Sequence, residues 1–309
     1  NGGAGASDTQ WMTAANWEGG VAPATGDDLV FSAAADQKDT FNNFSEGTNF
    51  ASISIDGSGY LLAGNAVALD NGLSNNGGDA TLSLPLKLNA DQSIRNSAYG
   101  TLTLGAVDLN SHQLSLQNYG LAITVDGQIS GDGGLIIGGW GNFGVTLVAA
   151  NSYTGSTQIE GGWLHIQDAL ALGSADGTLA SGTILRYGTR LTLDSSLAVD
   201  NERLTFDGYG ELQSTGNSEW TGDIDIISGY ISLTVGESLL LSGDISGSDY
   251  SSVYAGGSGL LKLTGQNVMP QGTFSSYGSA VQVDGSLTGL NDLQVMSGNL
   301  QGSGEVQSA

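Results

Sequence analysis

Pairs of aliphatic residues recur along this chain at a spacing that fixes most of what it can fold into. Ile53 and Ile55 are followed by Val67 and Leu69, then by Leu82, Leu84, Leu86 and Leu88. Next come Leu102 and Leu104, Leu121 and Ile123, Val145 and Leu147, Leu164 and Ile166, and Ile184. The series runs on through Leu204 and Phe206, Ile224 and Ile226, Leu239 and Leu241, Leu261 and Leu263, and Val281 and Val283. From Leu82 onward the step is about twenty residues, the range of stacked solenoid coils. Within most pairs the members lie two apart, so an extended strand places both on one face. One coil cannot cover that face by itself and needs a copy above and a copy below.

The stretch Leu147 to Gly173, LVAANSYTGSTQIEGGWLHIQDALALG, reads as one such coil. A polar turn at Asn151-Ser152-Tyr153-Thr154-Gly155 precedes a strand at Ser156 to Glu160, and a Gly161-Gly162 turn precedes a second strand at Trp163 to Ile166. Alternation sends Ile159, Leu164 and Ile166 inward and Gln158, Glu160, Trp163 and His165 outward. A period near twenty also suits a leucine-rich horseshoe, but that repeat needs a fixed Asn and a helical segment in each period. Here each period holds two or three alternating strands joined by Gly, Asn, Asp and Ser, and only Asp168 to Ser174 has the makings of a helical turn. The expectation is an all-β chain, a parallel β-helix of roughly thirteen rungs with about twenty residues in each. The crossover preference makes it right-handed.

Composition supports frequent turning and limits the partners. The chain has 50 Gly against 3 Pro, without a collagen period, and no Cys, so no disulfide or thiolate metal site is available. Seven Lys and Arg stand against 31 Asp and Glu, for a net charge of -24, which repels a nucleic-acid backbone or an anionic membrane face. No apolar run approaches the length of a membrane span, and Asn1 begins no signal peptide, as expected of a mature or excised piece.

Trp11 and Trp17 precede the first strand, at Leu29 to Phe31, and suit a cap over the first rung better than a sugar-stacking platform. Residues 1–50 are therefore read as an aromatic N-terminal cap with the first rungs, and residues 51–309 as β-helix. Leu300 and Val306 still follow the inward pattern with no cap after them, which suggests a fragment that continues beyond residue 309.

The stretch Gly127 to Ile166 resembles the autotransporter-associated β-strand repeat. It carries Ile129-Ser130-Gly131, Gly134-Leu135, Val145-Thr146-Leu147, Asn151-Ser152-Tyr153-Thr154-Gly155, Thr157-Gln158-Ile159 and Gly162-Trp163-Leu164 in that family's order. A degenerate copy runs from Gly243 to Leu287, with Ile245-Ser246-Gly247, Gly259-Leu260-Leu261, Asn267 and Val281-Gln282-Val283-Asp284-Gly285, but without the Tyr-Thr-Gly turn. The resemblance implies an autotransporter passenger domain, a β-helix at the bacterial outer surface or outside the cell, acting in adhesion, in self-association or as a stalk. The repeat is structural and brings no catalytic residue with it.

A polysaccharide lyase needs a base and acids that hold calcium, and a hydrolase needs paired carboxylates on one groove. Arg186, Arg190 and Arg203 suit a neutralising role toward acids such as Asp194, Asp200 and Glu202. Asp223 and Asp225 share one strand face, with Cβ atoms about 7 Å apart when extended, and are the runner-up catalytic pair behind a reading with none. Asp244 and Asp249 overlap the Ile-Ser-Gly turn and read as structural. His112 and His165 lack the spacing of a zinc site, no calcium-binding repeat recurs, and Gly138-Gly139-Trp140-Gly141 lacks the Lys-Ser/Thr of a phosphate loop. No metal or cofactor is expected. Tyr153, Trp163, Tyr187, Tyr209, Trp220 and Tyr230 form a candidate outward aromatic ladder for binding. The expected partners are a second copy, another surface protein or a glycan, and the alternative function is a carbohydrate-binding or polysaccharide-degrading β-helix.

Overall fold

The structure is a computed structural model, and it describes residues 8–140 and 143–308. In the stretch Gly138–Gly141 the first two residues end the strand Leu135–Gly139, and Gly141 lies outside the described residues, as do Asn1 and Ala309. The chain is a β-solenoid of about 13 turns, with about 21 residues per turn, and its coils stack in parallel. It divides into two compact units, Asn1–Thr154 and Gly155–Ala309.

In the first unit each complete coil contributes three short strands, which stack on those of the next coil in three parallel columns. Ser52–Ile55, Tyr60–Gly64 and Val67–Leu69 make up one coil, and Leu73–Asn75, Ala80–Leu82 and Leu86–Leu88 make up the next. Register then builds columns from the aliphatic pairs. Leu29, Ile53, Leu73, Ile94, Leu116 and Ile137 stand one above another, as do Leu62, Leu82, Leu104, Val125 and Leu147. Val67, Leu86, Val107 and Ile129 form the third column. All of these side chains are buried, each contributing about 2 kcal/mol of apolar burial.

Aromatic rings close the start of this unit. Trp11 is buried against Trp17, Phe31 and Phe50, and Phe31 meets Tyr60 at 5.5 Å. The Trp17 indole Nε1–H donates to the Trp11 carbonyl at 2.6 Å, so the second ring is pinned by the first. The expected capping role is what this packing performs.

The second unit repeats the plan with different side chains. Ile159, Leu185, Phe206 and Ile226 form one column, and Leu164, Leu191, Leu212, Leu233 and Ala255 form another. Val199, Trp220, Leu241, Leu263 and Val283 form the third. Two expectations fail on strand parity. Ile184 is only half-buried, because Thr183 and Leu185 align with the inward Thr157 and Ile159. Leu121 is exposed, since the strand begins at Ala122 and turns Ile123 and Val125 inward. Leu300 and Val306 do keep the inward parity, in register with the buried Val281 and Leu287, but on the last described coil they are 39% and 38% exposed. Asp168 to Ser174 forms no helix: the Asp168 carboxylate accepts from the Leu170 N–H at 2.8 Å, and Gly173 ends a second tight turn.

The two motif copies share a buried hydrogen bond. The Asn151 side-chain oxygen accepts from the Ile129 N–H at 2.7 Å, and Asn267 accepts from the Ile245 N–H at 3.2 Å. Each Asn thus satisfies the Ile of an Ile-Ser-Gly turn one coil earlier. The degenerate copy, which lacks the Tyr-Thr-Gly turn, keeps this contact.

Candidate functional site

The second unit carries an outer row of phenol rings. Its first members sit at the corners between the first and second strands of successive coils, where the chain turns through Tyr187-Gly188, Gly208-Tyr209 and Gly229-Tyr230. Gly208 and Gly229 take φ of 112° and 79°, a left-handed conformation that a side chain disfavours. The turn therefore fixes where the neighbouring Tyr can project.

Successive rings touch. Centroids of Tyr187 and Tyr209 lie 6.2 Å apart, Tyr209 and Tyr230 4.7 Å, Tyr230 and Tyr254 5.2 Å, and Tyr254 and Tyr277 6.5 Å. Most pairs meet edge to face or tilted, the arrangements favoured by the ring quadrupole. Tyr187, Tyr230 and Tyr277 remain 80%, 43% and 47% exposed despite these contacts. Burial among its neighbours pushes the Tyr209 phenol above its ordinary value, and the Glu211 carboxylate adds to the effect. A bulge opposite Phe206 and Asp207 inserts Ile227, which is exposed and lies three residues before Tyr230.

Of the expected ladder, Tyr187, Tyr209 and Tyr230 are brought together. Trp220 is not among them: it is fully buried in the column between Val199 and Leu241. Tyr153 is fully buried as well. The outward placement expected of both is wrong, because the strand or turn parity runs the other way. For Trp220 the local pattern carried the answer, since Asn217 and Glu219 alternate with it and must face water. Trp163 does project outward, half-buried, but it stands in register with Arg190 on the adjoining row. Sequence spacing does not point to Tyr254 and Tyr277, because each steps two residues along the strand relative to the ring before it: Tyr230 aligns with Ser252, and Tyr254 with Ser275.

No protein-family model, curated protein or solved structure matches this chain.

The acidic runner-up pair is held by a cation one coil earlier. Arg203 Nε reaches Asp225 at 2.6 Å, and its guanidinium lies 3.9 Å from Asp223. Asp225 also accepts from the Ser246 hydroxyl at 2.7 Å, and Asp223 accepts from the Asp244 N–H at 3.0 Å. Arg186 pairs with Asp207, and Arg190 faces Glu211 at 4.0 Å. Neutralisation was the expected role of these arginines, but the partners differ from Asp194, Asp200 and Glu202. Register decides them, since each Arg meets the acid on the next coil.

Glu202, expected as a partner of an arginine, is instead buried at 1% exposure. One carboxyl oxygen bonds the Thr183 hydroxyl at 2.7 Å and the other has no partner, so desolvation pushes the group up to about 8. Among the described residues, no group of three or more His, Asp or Glu is placed to hold a metal ion. His112 and His165 each lie near a single Asp, at 3.5 and 3.9 Å.

Proposed function

We propose that this chain is a non-enzymatic β-helical part of a cell-surface or secreted protein, of the autotransporter-passenger kind, and that it acts by adhesion. The observation that carries the reading is the tyrosine ladder, a continuous aromatic row over successive coils, exposed at Tyr187, Tyr230 and Tyr277. Exposed contiguous aromatic surface is uncommon on a solvated sleeve and marks an interaction face. The motif pair built around Asn151 and Asn267 supports the passenger reading. The arginine contact to both Asp223 and Asp225 supports the absence of catalysis, because a general acid or base must be free to exchange a proton with substrate.

Two measurements test this. Beads coated with the protein should adhere to cells or to one another, and beads coated with a Tyr187→Ala/Tyr209→Ala/Tyr230→Ala variant should do so much less. Absence of any adhesion overturns the proposal. Incubation with neutral and acidic polysaccharides should release neither reducing ends nor unsaturated products. Turnover that disappears in Asp223→Asn replaces this reading with the polysaccharide-degrading one.

A further inference from the structure

The charge of the ladder face differs from that of the chain as a whole. Half-buried outward positions on the second strand of each coil, from Trp163 to Tyr277, include Gln213, Ser232, Thr234, Ser252 and Thr273 beside the rings. The fixed charges on these strands are Arg190 and Glu211, which face each other, and Glu211 also accepts from the Thr234 hydroxyl at 2.6 Å. In a chain of net charge -24, this face is locally neutral and rich in hydroxyl groups.

We propose, resting on the adhesive reading above, that the tyrosine ladder is a binding site for a neutral, linear polysaccharide lying along the stacking direction of the coils. Ring faces and edges meet the C–H surfaces of sugar rings, and the hydroxyl and amide groups of the adjoining rows bond sugar hydroxyls. A row with one ring per coil, at about 4.8 Å per rung, offers a repeating set of contacts that suits a polymer better than a single sugar. Acidic polysaccharides are disfavoured. Arg186, Arg190 and Arg203 are committed to carboxylates, so a uronate finds no free cation and meets the acidic field of the chain. The same field opposes a second copy as the occupant.

Affinity electrophoresis tests the proposal, in gels containing hydroxyethylcellulose, laminarin, mannan or polygalacturonate. The protein should be retarded by at least one neutral polymer and not by polygalacturonate. Retardation should be insensitive to added salt, because no ion pair forms. Tyr209→Ala/Tyr230→Ala should weaken it about tenfold or more, with an unchanged circular dichroism spectrum. Tyr230→Phe should retain most of the binding, which separates ring stacking from the phenol hydroxyl. Retardation in no neutral gel, or equal retardation of the alanine variant, overturns the proposal. So does salt-sensitive binding to polygalacturonate, or sedimentation showing that the ladder binds a second copy. If bead adhesion persists and depends on the ladder while every neutral gel fails, the glycan is wrong and the adhesive reading stands.

Discussion

Each unit stacks one kind of polar or aromatic side chain over successive coils, but on opposite sides of the wall. In the first unit the row is inside. Asn75 donates to Asn96 at 2.9 Å and Asn96 to Asn118 at 3.2 Å, all three fully buried, and Asn118 passes the chain on to the Gly144 carbonyl at 2.7 Å. In the second unit the row is outside and made of phenols, while on the outside of the first unit Tyr119 meets Arg95 and Trp140, and Phe41 and Tyr99 are also exposed. Both rows follow from coil stacking. The inner one serves the fold, since buried amides must bond each other; the outer one is free to serve something else.

The sharpest way to break this contrast is to cut the inner row. Asn96 also donates to the carbonyls of Gly100 and Ala122, so Asn96→Ala strands several buried groups at once. The expected cost is roughly 3 kcal/mol, read as a lower urea midpoint and as lost hydrogen-exchange protection in the coils around residues 75–118. A cost near zero would mean that the amide row is incidental.

The inside of the second unit is less complete, and Glu202 shows it. Its carboxyl is pushed up to about 8 from an ordinary 4.5, so the folded chain binds the proton more tightly than the unfolded one. Below about pH 4.5 the group is neutral in both states and costs nothing. As pH rises from there to about 8, the unfolded state ionises first and stability falls; above 8 the loss is complete. Glu202→Gln should abolish that decline and raise stability at pH 8 by up to a few kcal/mol, with no gain at pH 4. Melting curves across this range check it, and a parallel decline in both proteins would place the proton elsewhere.

Much of this was legible in the residues, and the failures share a cause. The spacing of Leu82, Leu102, Leu164 and Leu261 fixes the period, and the period fixes a stacked coil, because nothing else buries such a pattern. Parity within a strand is harder, since it depends on where each turn releases the chain. Trp220 and Leu185 show that comparison with the next coil resolves it: Trp220 stands under Leu241, and Leu185 under Phe206. The amide row had a signal too, as Asn75, Asn96 and Asn118 recur at the coil period. Tyr254 and Tyr277 had none, because their diagonal drift becomes visible only once register is known. Glu202 had none either, since Asn201-Glu202-Arg203 looks like a solvated turn.

The smallest effect expected is on stability at the outer row, and it separates the two rows most directly. Tyr230 contacts Tyr209 and Tyr254, yet 43% of it remains in water, so Tyr230→Ala gives up two ring contacts without burying an unpaired group. The cost should be about 1 kcal/mol, and that of Tyr230→Phe within about 0.5 kcal/mol. If thermal melting instead shows Tyr230→Ala losing as much as Asn96→Ala, the phenols are holding coils together. The outer row would then be a structural counterpart of the inner one, and its exposure would no longer point to a ligand.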